Sequence, residues 1–308
     1  MTIRVLRPGP QATLQGAARW GLRHQGIPAS GPADPLSMAL ANRLAGNAPD
    51  ATAIELTFGG AAFEFRSEAA FAITGATTAC TLSGRPAPQH ETLMANPGER
   101  LEIASAPAGT RLYLAVAGGF AAMTVFASTS TFLPAGIGGL DGRALKAGDD
   151  IEALPAATPP PARTPEHLRP AMTHSHALRC VPGPDFPENG DIVWQRTFHT
   201  SPRMDRTGIE MTGDWPPLSG PALKPSSALF PGAVQLTPSG TAFALLPDSQ
   251  TTGGYPHILQ IMRADRHLLG QIRPGDRVHF LKRSAREAYD DLNAKAALFA
   301  GWLPGFRF

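Results

Sequence analysis

The sequence predicts a mainly β protein built from two related halves, with a few short helices and a C-terminal helix. Three observations carry that expectation. Glycine (32) and proline (31) make up about a fifth of the 308 residues, against roughly an eighth in an average protein, which favours strands and turns over helices. The apolar segments are short and many alternate with polar residues, as in Ala53-Ile54-Glu55-Leu56-Thr57-Phe58 and Ala62-Phe63-Glu64-Phe65, the period of a half-buried strand. Finally, Leu145-Lys146-Ala147-Gly148-Asp149-Asp150-Ile151-Glu152-Ala153-Leu154 aligns without gaps on Ile272-Arg273-Pro274-Gly275-Asp276-Arg277-Val278-His279-Phe280-Leu281. A looser copy runs from Asn96-Pro97-Gly98-Glu99 to Ile103. Each copy reads as a turn with glycine at its strained position followed by an alternating strand.

The remaining composition narrows the function classes. A formal charge of +2, with acids and bases interspersed, leaves no basic footprint for a nucleic acid. No apolar run approaches the ~20 residues that span a bilayer, and the first residues lack the apolar core of a signal peptide. A cytoplasmic location, with no membrane contact, is the expectation. Cys80 and Cys180 are the two cysteines; far apart and without an activating neighbourhood, they read as small buried residues.

In chain order, Ile3-Arg4-Val5-Leu6 is a first strand and Gln15 to Arg23 a polar segment. Asp34-Pro35 starts a helix over 35–45, because Asp caps free N–H groups and Pro suits the first helical position. Leu36, Leu40 and Leu44 fall on one face and Gly46-Asn47 ends it. Gly59-Gly60 between two alternating runs predicts a hairpin. Strands follow at 70–74, 80–82, 101–103 and 111–117, then the glycine-dense loop Gly136 to Gly142, which lacks the order of a phosphate-binding P-loop. Six prolines between Pro155 and Pro170 favour an extended spacer. The domain boundaries are therefore set at 1–155, a linker 156–170, and 171–308. The second half opens with a strand at 177–181, passes a long Pro-rich loop from Thr212 to Ser227, and closes with a capping box, Ser284-Ala285-Arg286-Glu287. A helix over 285–300 should follow, with Ala288, Leu292 and Phe299 inward.

Two loops stand out as candidate chemistry. Asp248-Ser249-Gln250-Thr251-Thr252-Gly253-Gly254-Tyr255-Pro256 lies between the apolar runs 243–246 and 258–262. The amide of Gln250, the hydroxyls of Thr251, Thr252 and Tyr255, and backbone N–H groups at Gly253 and Gly254 would line a small polar site. Glycine at both positions suits positive φ or close approach of a ligand; a tight turn, with the two glycines present only for its geometry, is the alternative. Ser30-Gly31-Pro32-Ala33-Asp34 precedes a helix N-terminus, which favours an anion; a plain turn and cap is the alternative. Arg203 and Arg206 can clamp an oxyanion between two guanidinium groups, unless Asp205 pairs with one of them. His174-Ser175-His176 can set two imidazoles on one strand face, but no third ligand is placed by spacing. The pair is expected to be solvated, and no metal is predicted.

Several of these motifs, in order, resemble one family. They are Gly26-Ile27-Pro28-Ala29-Ser30-Gly31-Pro32-Ala33-Asp34 with Leu40 to Asn47, Glu55 to Gly60, Ala117 to Phe120 and Gly138 to Leu145. In the second half they are Asp205 to Ile209, Pro231 to Gln235, Gln250 to Pro256 and Ile272 to Asp276. Together they resemble the C-type subunit of 5-oxoprolinase, also described as allophanate hydrolase subunit 2, and part of the carboxyltransferase domain of urea carboxylase. The resemblance implies cyclophilin-like β-barrel halves and assembly with a B-type and an A-type subunit of the same complex. It implies ATP-dependent opening of 5-oxo-L-proline to L-glutamate, with ATP used at the level of the complex. The alternative it implies is carboxyl transfer from carboxybiotin, carried by a partner, to a small amide such as urea. Ser30, Gly31 and Gln250, Thr251, Thr252, Gly253 and Gly254 would then bind the amide or lactam, and Asp34, Arg203, Arg206 and Tyr255 are the catalytic candidates. The chain departs from the family pattern at Gly16, Ala33, Thr207 and Ser227. Acids are missing at Gly16 and Ser227, which opens a third reading, a non-catalytic binding partner of the B-type subunit.

Overall fold

The computed structural model describes residues 1–217 and 223–308. Its contacts divide the chain into two compact units: residues 1–19, 30–172 and 298–307, and residues 20–29, 173–297 and 308.

The first unit is built from two antiparallel sheets. One has six strands in the order Asp150–Glu152, Thr2–Pro8, Gly59–Phe65, Arg100–Ser105, Cys80–Leu82, Arg85–Pro86. The other has five, in the order Gln11–Gln15, Ala53–Thr57, Ala108–Val116, Ala69–Thr77, Leu93–Ala95. Inward residues of both, among them Ile3, Val5, Leu14, Ile54, Phe63, Phe65, Phe71 and Leu114, make one core.

The Gly59-Gly60 hairpin is not formed. Strand Ala53–Thr57 pairs with Gln11–Gln15 and Ala108–Val116, whereas Gly59–Phe65 pairs with Thr2–Pro8 and Arg100–Ser105. Phe58, Gly59 and Gly60 all take left-handed backbone, at φ 59, 69 and 70°. A Cβ on Gly59 would sit 2.3 Å from the carbonyl oxygen of Ala104. The glycines therefore carry the chain across from one sheet to the other, and period-two flanks cannot tell that corner from a hairpin turn.

Helix Pro35–Leu44 forms as expected, with Asp34 as its cap. Leu36, Leu40 and Leu44 are buried, but so are Ser37, Met38, Ala39, Ala41 and Asn42. The helix is enclosed on more than one face. The proline-rich segment lies with the first unit: the Thr92 amide donates to the Ala162 carbonyl and the Thr164 amide to the His90 carbonyl, at 2.9 and 3.0 Å.

The second unit holds a closed barrel of seven strands, in the order Ser175–Pro182, His257–Ile261, Ala233–Leu236, Ala242–Leu245, Gly208–Thr212, Thr197–Met204, Arg277–Lys282. The ring closes through the parallel pairing of its first and last members. Closure removes the unpaired edges that a small open sheet would expose. Phe198, Trp215 and Phe280 stack inside, the first two with ring centroids 3.9 Å apart. Trp215 comes from the predicted Pro-rich loop, of which 218–222 lies outside the described residues.

The repeated turn is the same object three times. The Lys146 amide donates to the Asp149 carboxylate at 2.8 Å and the Arg273 amide to the Asp276 carboxylate at 2.9 Å. In the looser copy the Asn96 amide donates to Glu99 at 2.8 Å. Gly148, Gly275 and Gly98 stand at φ 91, 85 and 83°, and each donates its amide to a neighbouring strand, at 2.8, 2.8 and 2.7 Å.

The histidine expectation fails for His176 at the second copy. His176 is buried on the barrel strand, and both His174 Nδ1 and His176 Nε2 lie 2.8 Å from the Asp276 carboxylate. Both imidazoles serve the turn; His174 is exposed to solvent as expected, and only His176 is not. The capping box at Ser284 and Glu287 forms and helix Ala285–Ala300 follows it. Of its three predicted inward residues only Phe299 is buried; Ala288 and Leu292 are half-buried.

Candidate functional site

The loop 248–256 runs from the barrel strand Ala242–Leu245 to the strand His257–Ile261 and is braced along its length. Thr252–Gly253 forms a short ladder with Ser227–Ala228. The Leu229 amide donates to the Thr251 carbonyl at 2.9 Å, and the Lys224 amide to the Gly254 carbonyl at 2.8 Å.

Neither Gly253 nor Gly254 has positive φ. What requires glycine is room. A Cβ on Gly253 would stand 2.6 Å from Leu229 Cδ1, and one on Gly254 2.5 Å from the Lys224 carbonyl oxygen. The close approach is by the protein's own chain.

Gln235, buried in the strand Ala233–Leu236, fixes both ends of the loop. Its Nε2 donates to the Tyr255 carbonyl at 2.9 Å, and its Oε1 accepts from Gln250 Nε2 at 3.2 Å. Beside these amides lies a cleft of about 460 Å³ whose lining includes Arg203, Asp205, Gln235, Phe243, Gln250 and Tyr255. Arg203 is oriented by Glu210, at 2.8 Å from Nη1, and its guanidinium lies 5.5 Å from the Phe243 ring centroid. The Glu210 carboxylate is itself held by the Ser201 hydroxyl at 2.6 Å. The Arg203 side chain remains 74% exposed, so it keeps donors for a ligand.

Arg206 is placed differently. It is buried, and its Nε and Nη2 donate to the two oxygens of the Asp248 carboxylate at 2.7 and 3.3 Å. The pair ties the start of the loop to the turn that carries Asp205 and Thr207 into the lining. Asp205 braces its own turn. One of its oxygens accepts from the amides of Thr207 and Gly208, at 2.6 and 3.2 Å. It is the one carboxylate among the described lining residues.

The other predicted loop belongs to the first unit. Asp34 is fully buried and caps the helix by accepting from the Ser37 amide at 2.9 Å. Its own amide donates to the Tyr113 hydroxyl at 2.8 Å, and that hydroxyl donates to Glu55 at 2.8 Å. Glu55 also accepts from the Ala33 amide at 2.8 Å, and Arg111 stands 3.7 Å away. Burial first, and the charges of Glu55 and Asp34 next, push the Tyr113 phenol well above its ordinary range, so it is held as a neutral donor.

Ser30 is buried at φ 53° with a hydroxyl that meets no partner among the described residues. Such backbone in a residue with a side chain costs on the order of 1 kcal/mol and clusters at functional sites. Gly31 stands at φ 90°, where a Cβ would press on Ala18 at 3.2 Å.

The departure at Gly16 has a steric face: a Cβ there would sit 2.2 Å from Thr129 Oγ1. The glycine loop 136–142 is folded onto itself, with the Gly142 amide donating to Gly138 and the Gly139 amide to Thr129, both at 2.8 Å. A Cβ on Gly142 would stand 1.9 Å from the Gly136 carbonyl oxygen. Those two amides are spent on the protein's own carbonyls. Both cysteines are buried; burial pushes the Cys80 thiol up to about 12 and Cys180 well above the ordinary thiol range, which favours the protonated thiol at both. No cluster that could hold a metal occurs among the described residues.

Sequence reasoning missed Gln235, Phe243 and Glu210 as parts of this site. A signal was present for Gln235: a polar residue within the apolar run Ala233-Val234-Gln235-Leu236 needs partners if buried. Glu210 and Asp248 find their arginines only through the barrel's pairing.

The chain is 34% identical over 290 residues to the C-type subunit of the 5-oxoprolinase of Escherichia coli (strain K12), covering 93% of each chain. It is equally similar, over the same shares, to the corresponding 5-oxoprolinase subunit of Haemophilus influenzae. The crystal structure of the K. lactis urea amidolyase matches all of this chain with a TM-score of 0.92 at 26% identity, but the chain spans only 20% of that protein. Residues 25–282 match the family described as carboxyltransferase domain, subdomain A and B. On that span and those identities, this chain belongs to the carboxyltransferase-domain (subdomain A and B) family.

Proposed function

We propose that the chain is the C-type subunit of a 5-oxoprolinase complex that opens 5-oxo-L-proline to L-glutamate with ATP, together with its B-type and A-type subunits. The observation that carries the reading is the near end-to-end match to chains named as the C-type subunit of 5-oxoprolinase, at 93% of both lengths. The cleft beside Gln235 and Gln250 suits such a substrate. A lactam presents one carbonyl acceptor and one N–H donor, and a carboxamide side chain offers the complementary pair. Arg203, pre-aimed by Glu210, would hold the oxygen that gains negative charge as the amide carbon is attacked. Asp205 is the available proton acceptor in the lining, and Tyr255, 42% exposed, closes the rim. Arg206 acts on this site through Asp248, as a positioning residue.

ATP enters at the level of the complex. In this reading the nucleotide chemistry is supplied by the partner subunits. Biotin would reach the cleft only on a partner.

The likeness to urea amidolyase supports a second reading, carboxyl transfer to a small amide such as urea. One experiment separates the two. The chain is combined with its A-type and B-type partners, and L-glutamate formed from 5-oxo-L-proline is followed with and without ATP. ATP-dependent glutamate that vanishes when this chain is omitted supports the first reading. No glutamate, together with urea carboxylation by a biotin-loaded partner, supports the second and overturns the first. A complex that assembles but turns over neither substrate leaves the chain as a binding partner.

A further inference from the structure

Two inward arginines of the barrel unit have a carboxylate each: Arg179 has Asp265, at 2.9 Å from Nε, and Arg206 has Asp248 at 2.7 Å. Among the described residues Arg23 and Arg266 have none. Arg23 spends Nη2 on two backbone carbonyls, Leu229 at 2.6 Å and Gln250 at 3.2 Å, and its guanidinium lies 5.5 Å from the Phe230 ring centroid. Its Nε and Nη1 are enclosed and meet no partner among the described residues. Arg266 Nε is likewise enclosed and unpartnered. It lies beside Gly232, where a Cβ would stand 3.2 Å from it and nearer still, at 2.8 and 2.9 Å, to Gln260 Nε2 and the Ile261 carbonyl oxygen.

Arg23 holds the Leu229 carbonyl and Arg266 Nε lies beside Gly232, three residues further along the same segment, which brings the two cations near each other; Arg263 is close as well, its Nε taken by the Phe308 carbonyl. Burial, then the charges of Arg263 and Arg23, push the Arg266 guanidinium down to about 10. Burial alone lowers that of Arg23. Buried charge without a counter-ion is costly and is relieved by an anion that supplies the missing acceptors.

We propose that Arg23 and Arg266 form a binding site for a small oxyanion, a carboxylate or a phosphate, held between the enclosed Nε and Nη1 of Arg23 and the Nε of Arg266, next to the Gln250 backbone. Guanidinium forks match both anions. The half-buried side chains shift to admit the ligand, which limits it to a compact anion. The site stands on these two arginines and not on the assignment of the cleft, so the two readings fail separately.

The test is thermal unfolding of the full chain at constant ionic strength set with chloride, with sodium phosphate, sodium acetate, 5-oxo-L-proline, or pyrrolidin-2-one added. Pyrrolidin-2-one is the lactam without a carboxylate. A site for oxyanions raises the midpoint by about 3 °C or more with saturating phosphate, acetate or 5-oxo-L-proline, and the rise is lost in Arg266→Met and in Arg23→Gln. Phosphate alone assigns a phosphate ligand; acetate and 5-oxo-L-proline without phosphate assign a carboxylate. Without added anion, Arg266→Met should unfold at the same temperature as the wild type or higher, because it removes repulsion; a purely structural guanidinium would give a lower one. If Arg266→Met does not fold, Arg23→Gln decides. No anion-dependent rise in the wild type, or an equal rise in both variants, overturns the site. A rise with pyrrolidin-2-one that survives both variants reports on the cleft and, if it is the only response, also overturns the anion site.

Discussion

Replacing Arg206 by methionine should destabilise the barrel unit by about 3–5 kcal/mol, the usual cost of stranding one member of a buried ion pair. The side chains of Arg206 and Asp248 are 5% and 3% exposed, with Nε 2.7 Å from the carboxylate. At an effective dielectric near 20 and about 4 Å between charge centres, the attraction is about 4 kcal/mol, which agrees with that range. Set against a total stability of roughly 5–15 kcal/mol, the loss is large. Methionine keeps most of the alkyl stem, so the effect reports the charge and its hydrogen bonds. Asp248→Leu alone should cost a similar amount, while the double variant should be less damaging than the two added together, with a coupling of about 2 kcal/mol or more. Equilibrium urea unfolding can be followed by tryptophan fluorescence, since Trp215 stacks on Phe198 inside the barrel. A cost for Arg206→Met below about 1 kcal/mol, or strictly additive costs, would refute the idea that this pair anchors the loop.

Gln235→Leu removes both hydrogen bonds that tie Tyr255 and Gln250. It should cost about 1–3 kcal/mol and raise amide hydrogen exchange across 250–256, and unchanged exchange there would show that the ladder to Ser227–Ala228 suffices. Gly254→Ala should cost about 1–3 kcal/mol from overpacking against the Lys224 carbonyl; a variant with wild-type stability would mean that the contact relaxes freely. Stability should also fall in mild acid. Burial, with Lys295 beside it, pushes the His267 imidazole down to about 3, and burial with Arg169 pushes His90 down to about 4. Unfolded histidine titrates near 6.5, so below that pH the unfolded chain takes protons that the folded chain refuses. Each group's contribution is complete above pH 6.5 and is lost as pH drops, by about 2 kcal/mol at pH 5. The slope should flatten in His267→Gln when stability is measured from pH 7.5 to 5, and an unchanged slope would contradict the neutral, buried imidazole.

Local rules were legible in the residues. The Asp34 cap, the Ser284–Glu287 box and the threefold Gly-Asp/Glu turn each depend on groups within a few positions, and all three form. What was not legible depends on pairing between distant segments. The Phe58–Gly60 corner has the pattern of a hairpin, and only the partners of its two strands distinguish them. His174 and His176 read as solvated because Asp276 lies about 100 positions away and is brought close by the parallel pair that closes the barrel. Gly253 and Gly254 read as turn glycines, while their reason lies in Leu229 and Lys224, which pack against them. Strand Gln11–Gln15 carries only Ala12 and Leu14 as apolar residues, too few for a period to show. In the candidate site the Gln250 loop was visible as a loop of chemistry, but the side chains that aim it, Gln235, Glu210 and Asp248, were not.

The most direct test of the cleft's role is the steady-state kinetics of ATP-dependent L-glutamate release from 5-oxo-L-proline by the assembled complex, with wild-type chain and with Arg203→Ala/Gln250→Ala. Arg203 is 74% exposed but partners the buried Glu210, and Gln250 is bonded to Gln235, so the double variant should still assemble while melting somewhat lower, by the equivalent of about 1–3 kcal/mol. Loss of a charged and a neutral hydrogen bond to the substrate should lower kcat/KM by about a hundredfold. Wild-type kcat/KM in a properly assembled double variant would contradict the placement of the substrate beside Gln235 and Gln250.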